Sequence, residues 1–382
     1  MEIATFSFPT LIRFGVGAMN ASELAAQFAH LKITRPLLVT DRGLLVTSAF
    51  QKTRETLRSL NSLAENDAPV FSEVDPNPVE KNVDDAAQAF AEAGCDAILA
   101  LGGGSALDVG KAVRLRIKRP EQKLRAFDSA QEWSGLAPFI AVPTTAGTGS
   151  EVGRSAVIIL DGKKRVLFHP ALLADLVLLD PELTRELPPK LTAATGADAL
   201  THCVESFTSP VFHPLCDGIA LEGARMIFEN LPRAVKNGAD LEARGKMQIA
   251  AMMGGIAFQK DLGATHSLAH PLSAICGLHH GLANAICLPH VMEFNAEKKS
   301  DLYRRVGISL GLDTHRASDG ETITAIRTLF AEIGLNKGLR AHGVNESHLE
   351  ALAAQAFDDT CHRTNPVPVT REDLRMLYER AL

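Results

Sequence analysis

No stretch of this 382-residue chain approaches the ~20 uninterrupted apolar residues that a membrane span requires. Its opening, MEIATFSFPT, lacks the basic start and apolar core of a signal peptide, so a cytoplasmic location is expected. The six cysteines (Cys95, Cys203, Cys216, Cys276, Cys287 and Cys361) show no CxxC pair and no regular spacing. That argues against a disulfide framework and for reduced thiols. Basic residues do not outnumber acidic ones: the net charge is −6, and no run of Lys or Arg suggests general nucleic-acid affinity. The densest basic piece, Lys111 to Lys123, alternates with apolar residues and reads as a helix with its solvated end. Also missing are internal repeats, low-complexity tracts, a G-x-G-x-x-G fingerprint and the spacing of a P-loop.

What is present is ordinary globular composition, 46% hydrophobic and 22% charged, in a chain long enough for two domains with sizeable cores. Up to about residue 182, short apolar runs alternate with amphipathic segments. The runs Pro36–Thr40, Val70–Ser72, Ala97–Leu101, Phe139–Val142 and Ala156–Leu160 predict strands. Between them, Ala21–His30, Ser48–Leu60, Val79–Gly94 and Ala106–Arg116 predict helices. Such alternation indicates right-handed βα units on a largely parallel sheet. From Thr195 onward the patterns are helical almost throughout, as in Pro214–Asn230, Asp240–Gln259, Gly281–Asn295, Glu321–Ile333 and Glu346–Ala356. The expected organisation is an α/β domain over residues 1–185 and an all-α domain over 186–382. Ligand pockets often form at such joins.

Eleven of the thirteen histidines follow residue 200. Asp198 and His202 are four apart, which on a helix places them on one face, ~6 Å apart along the axis. Leu200, Val204 and Phe207 form an apolar stripe opposite. His266 and His270 repeat the same spacing, and His279 and His280 follow. A lone histidine on an apolar face is ordinarily a satisfied core residue. Two such pairs among small and apolar residues shift the balance towards a divalent transition-metal site. Spacing alone leaves open whether His266 or His270 is the ligand.

The strand at Ala97–Leu101 runs into Gly102, Gly103, Gly104 and Ser105, then a helix carrying Asp108 and Lys111. Backbone amides and a helix start presented this way suit phosphates. A second strand leads into Pro143-Thr144-Thr145-Ala146-Gly147-Thr148. Two such loops after successive strands would lie together at the carboxyl edge of a parallel sheet, where nucleotides bind. Asp41, at the end of the run Leu37–Thr40, could accept hydrogen bonds from a ribose 2′-hydroxyl and would repel a 2′-phosphate. Alone it reads as a turn former.

Taken together, GGGSALDVGK (102–111), PTTAGT (143–148), DALTH (198–202) and His266-x-x-x-His270 with His280 resemble the iron-containing (group III) alcohol dehydrogenase family. The resemblance runs nearly end to end, through FGVG (14–17), DPNP (75–78), LPHVM (288–292) and Asn365-Pro366. It implies a Rossmann-like domain, a helical domain and an active site in the cleft between them, the architecture shared with dehydroquinate synthase. It further implies a metal, Fe2+ with Zn2+ possible on the same donors, held by Asp198, His202, His266 and His280, with His270 close by as a proton carrier. His213 and His290 stay structural by default. Family cofactor contacts carry over to Asp41, Asn77, Gly102 to Ser105, Asp108, Thr144, Thr145 and Thr148, and to Lys164 and Leu183. Phe258 and Cys361 match positions bordering the substrate. The expected cofactor is NAD rather than NADP, and the expected assembly a homodimer or larger even oligomer. Ser150, Gly153 and Val367 depart from the family pattern, as does the polar stretch Asp359 to Asn365.

The chemistry this implies is reversible hydride transfer between NAD(H) and a small alcohol, aldehyde or ketone, with a metal polarising the substrate oxygen. A zinc polyol dehydrogenase resembling glycerol dehydrogenase is the nearest alternative. A dehydroquinate synthase-like lyase would need Lys and Arg around the metal, and none occurs between Asp261 and Glu293. A non-catalytic metal or nucleotide sensor predicts a degraded ligand set, whereas all four positions are filled.

Overall fold

The computed structural model describes residues 6–8, 10–60 and 67–382. These divide into two compact units, one of residues 10–145 and 150–187, the other of residues 6–8, 146–149 and 188–382. The tip of the Pro143–Gly149 loop therefore belongs with the helices, although its strand belongs with the sheet.

The α/β unit carries, in chain order, β1 (Leu11–Phe14), α1 (Ala21–Leu31), β2 (Pro36–Val39), α2 (Ser48–Arg58), β3 (Val70–Phe71), α3 (Glu80–Glu92), β4 (Ala97–Gly102), α4 (Gly104–Lys118), β5 (Phe139–Pro143), β6 (Ser155–Leu160), β7 (Lys163–Phe168) and β8 (Leu176–Leu179). Six of the strands form one parallel sheet in the order β1-β8-β5-β4-β2-β3. Strands β2, β4, β5 and β8 are buried along their whole length, which explains their unbroken apolar runs (PLLV, AILALG, FIAVP, LVLL). From β2 the chain steps outward to β3, then returns to β4 and continues the other way to β5 and β8. The order thus reverses between β2 and β4, and such a reversal opens a crevice at the carboxyl ends of the two strands.

One expectation needs correction. Ala156–Leu160 is a strand but lies outside the parallel sheet: β6 pairs antiparallel with β7. The turn between them is Asp161-Gly162, both at positive φ (50° and 75°), the conformation a two-residue hairpin turn requires. β7 reads KKRVLF and is mostly exposed, so no apolar pattern announced it. The edge strand β1 (LIRF) and the short buried β8 were also passed over.

The helical unit contains α5 (Pro189–Thr208), α6 (Pro214–Lys236), α7 (Leu241–Ala257), α8 (Ala264–Cys276), α9 (His280–Lys298), α10 (Arg304–Ser309), α11 (Asp319–Glu332), α12 (Leu349–Asp358) and α13 (Arg371–Ala381). Its centre is α5, buried from Thr192 through Ser206 on every face. A helix buried all round has no solvated side, so the predicted contrast between a polar and an apolar face becomes two kinds of packing. One side of α5 joins an apolar core with α6, α7 and α11 through Leu200, Cys203, Val204, Ile227, Leu231, Met247 and Ile326. The other carries Asp198 and His202. None of the six cysteines is in a disulfide, and no helix among the described residues is long and apolar enough to cross a membrane.

Candidate functional site

Gly281 sets the spacing of the helices that carry the polar cluster. A Cβ there would fall 2.1 Å from the carbonyl oxygen of Ala194 and 3.2 Å from Asp198 Cβ. Without a side chain, the first turn of α9 lies directly on the backbone of α5, and the neighbouring His280 reaches Asp198. Asp198 Oδ1 lies 3.9 Å from His202 Nε2, 3.7 Å from His266 Nε2 and 3.5 Å from His280 Nε2. Donor atoms bound at ~2.1 Å around a tetrahedral ion stand roughly 3.4 Å apart, so these separations from Asp198 are close to those a divalent metal needs, and the donor atoms of Asp198, His202 and His266 all lie within 4.8 Å of one another. His279, the residue before α9, is exposed, whereas His280 is half-buried and turned inward.

The electrostatics point the same way. Burial would raise the Asp198 carboxyl, but His202, His280 and His266 more than offset it and hold it well below the usual carboxylate range. Burial pushes His202 down to about 4, leaving a neutral imidazole with a free lone pair at neutral pH. Burial also disfavours charge on His266, yet the neighbouring carboxylates of Asp198 and Glu205 push it up to about 9. Two ionised carboxylates buried together favour a positive charge between them, and a divalent cation supplies one.

The structure brings in residues that the sequence reading did not. Glu205, one turn beyond His202 on α5, meets His266 Nδ1 at 2.6 Å. Asn284, one turn beyond His280, places its amide nitrogen 2.6 Å from Asp198 Oδ1 and 3.3 Å from the Nε2 atoms of both His266 and His280. Both could have been found by extending each helix face by a further turn. Asp359 could not, because it arrives from the end of α12, 89 residues away in sequence, to meet His270 Nδ1 at 2.8 Å. It also accepts from Ser267 Oγ at 2.9 Å and from the Cys361 amide at 2.8 Å.

His270 is near the cluster without joining it. Its ring stacks 5.3 Å from that of His280 and stands edge-on 6.0 Å from that of His266. Its donor atoms group with Asp359 and Cys361, whereas those of His266 group with Asp198 and His202. Phe258 packs edge-on against His202 at 5.3 Å. His213 caps α6, accepting from the Cys216 amide at 3.2 Å, and His290 lies 3.8 Å from Glu293. Both stand apart from the cluster.

In the α/β unit the candidate nucleotide residues collect at the carboxyl ends of β2, β4 and β5. Asp41 follows β2 and accepts from the Leu44 amide at 3.2 Å. Its Oδ2 lies 3.8 Å from where a Cβ on Gly102 would stand, so Asp41 flanks the glycine loop. Gly102 itself takes φ 156°, and a Cβ would come 2.7 Å from Ala106 Cβ. Ser105 Oγ donates to the Pro76 carbonyl at 2.6 Å, tying the loop that holds Asn77 to the start of α4. The Thr144 amide donates to Gly102 at 3.0 Å, and Thr145 lies against Gly103. Thr148 falls in the 146–149 segment of the helical unit. Lys164 stands on β7, with a charge interaction to Asp108.

Two further expected cofactor residues have side chains engaged within the protein. Asp108 has both oxygens engaged by protein donors, Ser150 Oγ at 2.6 Å and the Val157 amide at 3.0 Å, so its side chain ties α4 to that segment. The Leu183 side chain is buried in the α/β core.

Comparison with known proteins gives the same picture. The family model described as iron-containing alcohol dehydrogenase matches residues 9–181, and the one described as the C-terminal part of the Fe-containing alcohol dehydrogenase family matches 192–382. A 4-hydroxybutyrate dehydrogenase of Cupriavidus necator is 39% identical over 395 residues, covering 100% of both chains. Among solved structures, a 1,3-propanediol oxidoreductase superposes with a TM-score of 0.92 at 33% identity, over 99% of this chain and 100% of the other. A sulfoacetaldehyde reductase from Bifidobacterium kashiwanohense, solved with NAD+, gives 0.87 at 28% identity over 100% and 99%.

Proposed function

The chain belongs to the iron-containing alcohol dehydrogenase family and is a metal-dependent oxidoreductase working between NAD(H) and alcohols or aldehydes; from that premise we propose how its own residues do so. The reading rests on one observation, the convergence of His202, His266 and His280 on a single oxygen of buried Asp198. These four side chains hold the metal, Fe2+ in the first instance, with Zn2+ compatible with the same donors. When bound, the metal polarises the substrate oxygen and the nicotinamide carries the hydride.

The remaining roles fall to residues around that centre. Burial would raise the Asp359 carboxyl, but its bond to His270 holds it well below the usual carboxylate range, so the carboxylate accepts and His270 Nδ1–H donates. That fixes the tautomer and leaves Nε2 as the atom that exchanges a proton. Phe258 and Cys361 border the substrate. On the nucleotide side, the amides of Gly102–Ser105 and the hydroxyls of Thr144, Thr145 and Thr148 receive the pyrophosphate, with Asn77 and Lys164 beside them. Asp41 receives the ribose hydroxyls and selects NAD(H) over NADP(H).

The substrate we propose is a short primary alcohol or its aldehyde. The full-length likeness to a 4-hydroxybutyrate dehydrogenase makes ω-hydroxy acids the first group to test. A homodimer in the cytoplasm completes the reading. The edge strand β1, whose Leu11 and Phe14 are exposed, offers a surface on which a second copy could pair.

Metal removal tests the whole reading. Chelation should abolish NAD-linked turnover across a panel containing 4-hydroxybutyrate, propane-1,3-diol and short alcohols. It should also lower the melting temperature, because the ligands come from three helices, and Fe2+ or Zn2+ should restore both. Full activity in protein shown metal-free by elemental analysis would refute it.

A further inference from the structure

Glu205 is a buried carboxylate one helical turn from a metal ligand, and the reaction as described above gives it no part. Asp198, His202 and Glu205 succeed one another at spacings of four and three along α5, so they share one face of that helix. The Glu205 side chain, 5% exposed, has both oxygens committed. Oε1 accepts from the Thr265 amide at 2.6 Å. Oε2 accepts from the Gly263 amide at 3.1 Å and meets His266 Nδ1 at 2.6 Å. Asn365 Oδ1 takes the intervening Ala264 amide at 3.2 Å. The first turn of α8 is thus clamped on α5 by the same group that holds its histidine.

This contact fixes which nitrogen of His266 faces the ion. A carboxylate accepting backbone bonds can only accept from the ring, so Nδ1 carries the proton and donates. Nε2 is then the ring nitrogen turned towards the ion, with the Asn284 amide nitrogen 3.3 Å from it. The other tautomer would aim an N–H at the metal. A second effect is charge: with Asp198, Glu205 brings two negative charges to a site for a dication, in a setting where burial strengthens their attraction.

We propose that Glu205 is the positioning residue of the metal centre, setting the tautomer, orientation and basicity of His266 and so the affinity of the site. The proposal rests on the four-ligand reading above and deepens it. Its rival is a purely structural role, in which Glu205 only caps α8.

Metal affinity separates the two. Zinc binding would be measured by chelator competition in wild type, H266A, E205Q and D359N, alongside the Co2+ visible spectrum and the melting temperature of each metal-free protein. Glu205→Gln keeps the size of the side chain but loses its charge, and it should weaken zinc binding roughly 10–100-fold and alter the Co2+ spectrum. Asp359→Asn removes the matching carboxylate from beneath His270 and should leave both readouts as in wild type. A Glu205→Gln change under threefold in affinity, with an unchanged Co2+ spectrum, would overturn the proposal and leave capping as the role. If E205Q fails to fold, the His266 ring in zinc-loaded wild type decides by its nitrogen-15 shifts: protonated Nδ1 and metal-bound Nε2 support the proposal, and the reverse sinks it. Loss of zinc from H266A shows that the underlying ligand reading holds whatever Glu205 does, whereas undiminished zinc in H266A would strike at that reading itself.

Discussion

His266 and His270 lie one turn apart on α8, and each rests its Nδ1 on a carboxylate: Glu205 at 2.6 Å for one, Asp359 at 2.8 Å for the other. The surroundings separate them. His266 is 1% exposed and faces Asp198 across 3.7 Å. His270 is 15% exposed, and its partner Asp359 is 19% exposed. A dry imidazole between two carboxylates is built to hold a cation, and a half-wet one on a single carboxylate is built to exchange protons. On the reading proposed above, the same side chain and the same hydrogen bond serve two purposes, divided by solvent access and by the third group in reach.

Removing each ring sharpens this contrast most. His266→Ala should arrive without metal and without activity. His270→Ala should keep its metal and lose ~10²–10⁴-fold in rate in alcohol oxidation, the usual worth of acid–base assistance. Metal content and kcat of the two purified variants are the measurements. A metal-free H270A beside a metal-loaded H266A would reverse the assignment.

The next effect tests the helix spacing behind the cluster. In Gly281→Ala the new methyl would meet the Ala194 carbonyl at 2.1 Å, so α9 must shift and carry His280 away from Asp198. Overpacking typically costs about 1–3 kcal/mol, and contact with backbone places this case at the upper end or beyond. Metal affinity and melting temperature should fall together, while NAD(H) affinity holds. An alanine that leaves metal affinity intact would show that His280 does not depend on this close approach.

The smallest expected effect lies in the α/β unit. Asp41→Gly should relax discrimination against NADP(H) by about 1–3 kcal/mol, roughly ten- to a hundredfold in the ratio of kcat/KM values. Wild-type enzyme that already prefers NADPH would show that Asp41 does not meet the ribose.

The two halves of the chain were legible to different degrees. Helical spacing singled out Asp198 with His202 and His266 with His270, but only the family resemblance chose His266 over His270 and His280 over His279. Glu205 and Asn284 lay one turn further along the same helices, and their partners were unknown until α5, α8 and α9 came together. The glycine and threonine loops were visible as strand-to-helix turns, but the sequence did not show that Ser150 and the Val157 amide would each bond an oxygen of Asp108. The hairpin of β6 and β7 was mistaken for part of the parallel sheet because its second strand, KKRVLF, has no buried face to impose a pattern.

By itself the sequence determined what local chemistry records: which runs are apolar enough to be buried strands, where glycines permit backbone close to phosphate, and which helices carry imidazoles. Only the tertiary structure decided which histidine sits between two carboxylates and which beside one. That choice depends on Glu205 and Asp359 approaching from 61 and 89 residues away. Ligand geometry and solvent exclusion are properties of packed helices, and periodicity along one helix holds no information about the group that will face it from another.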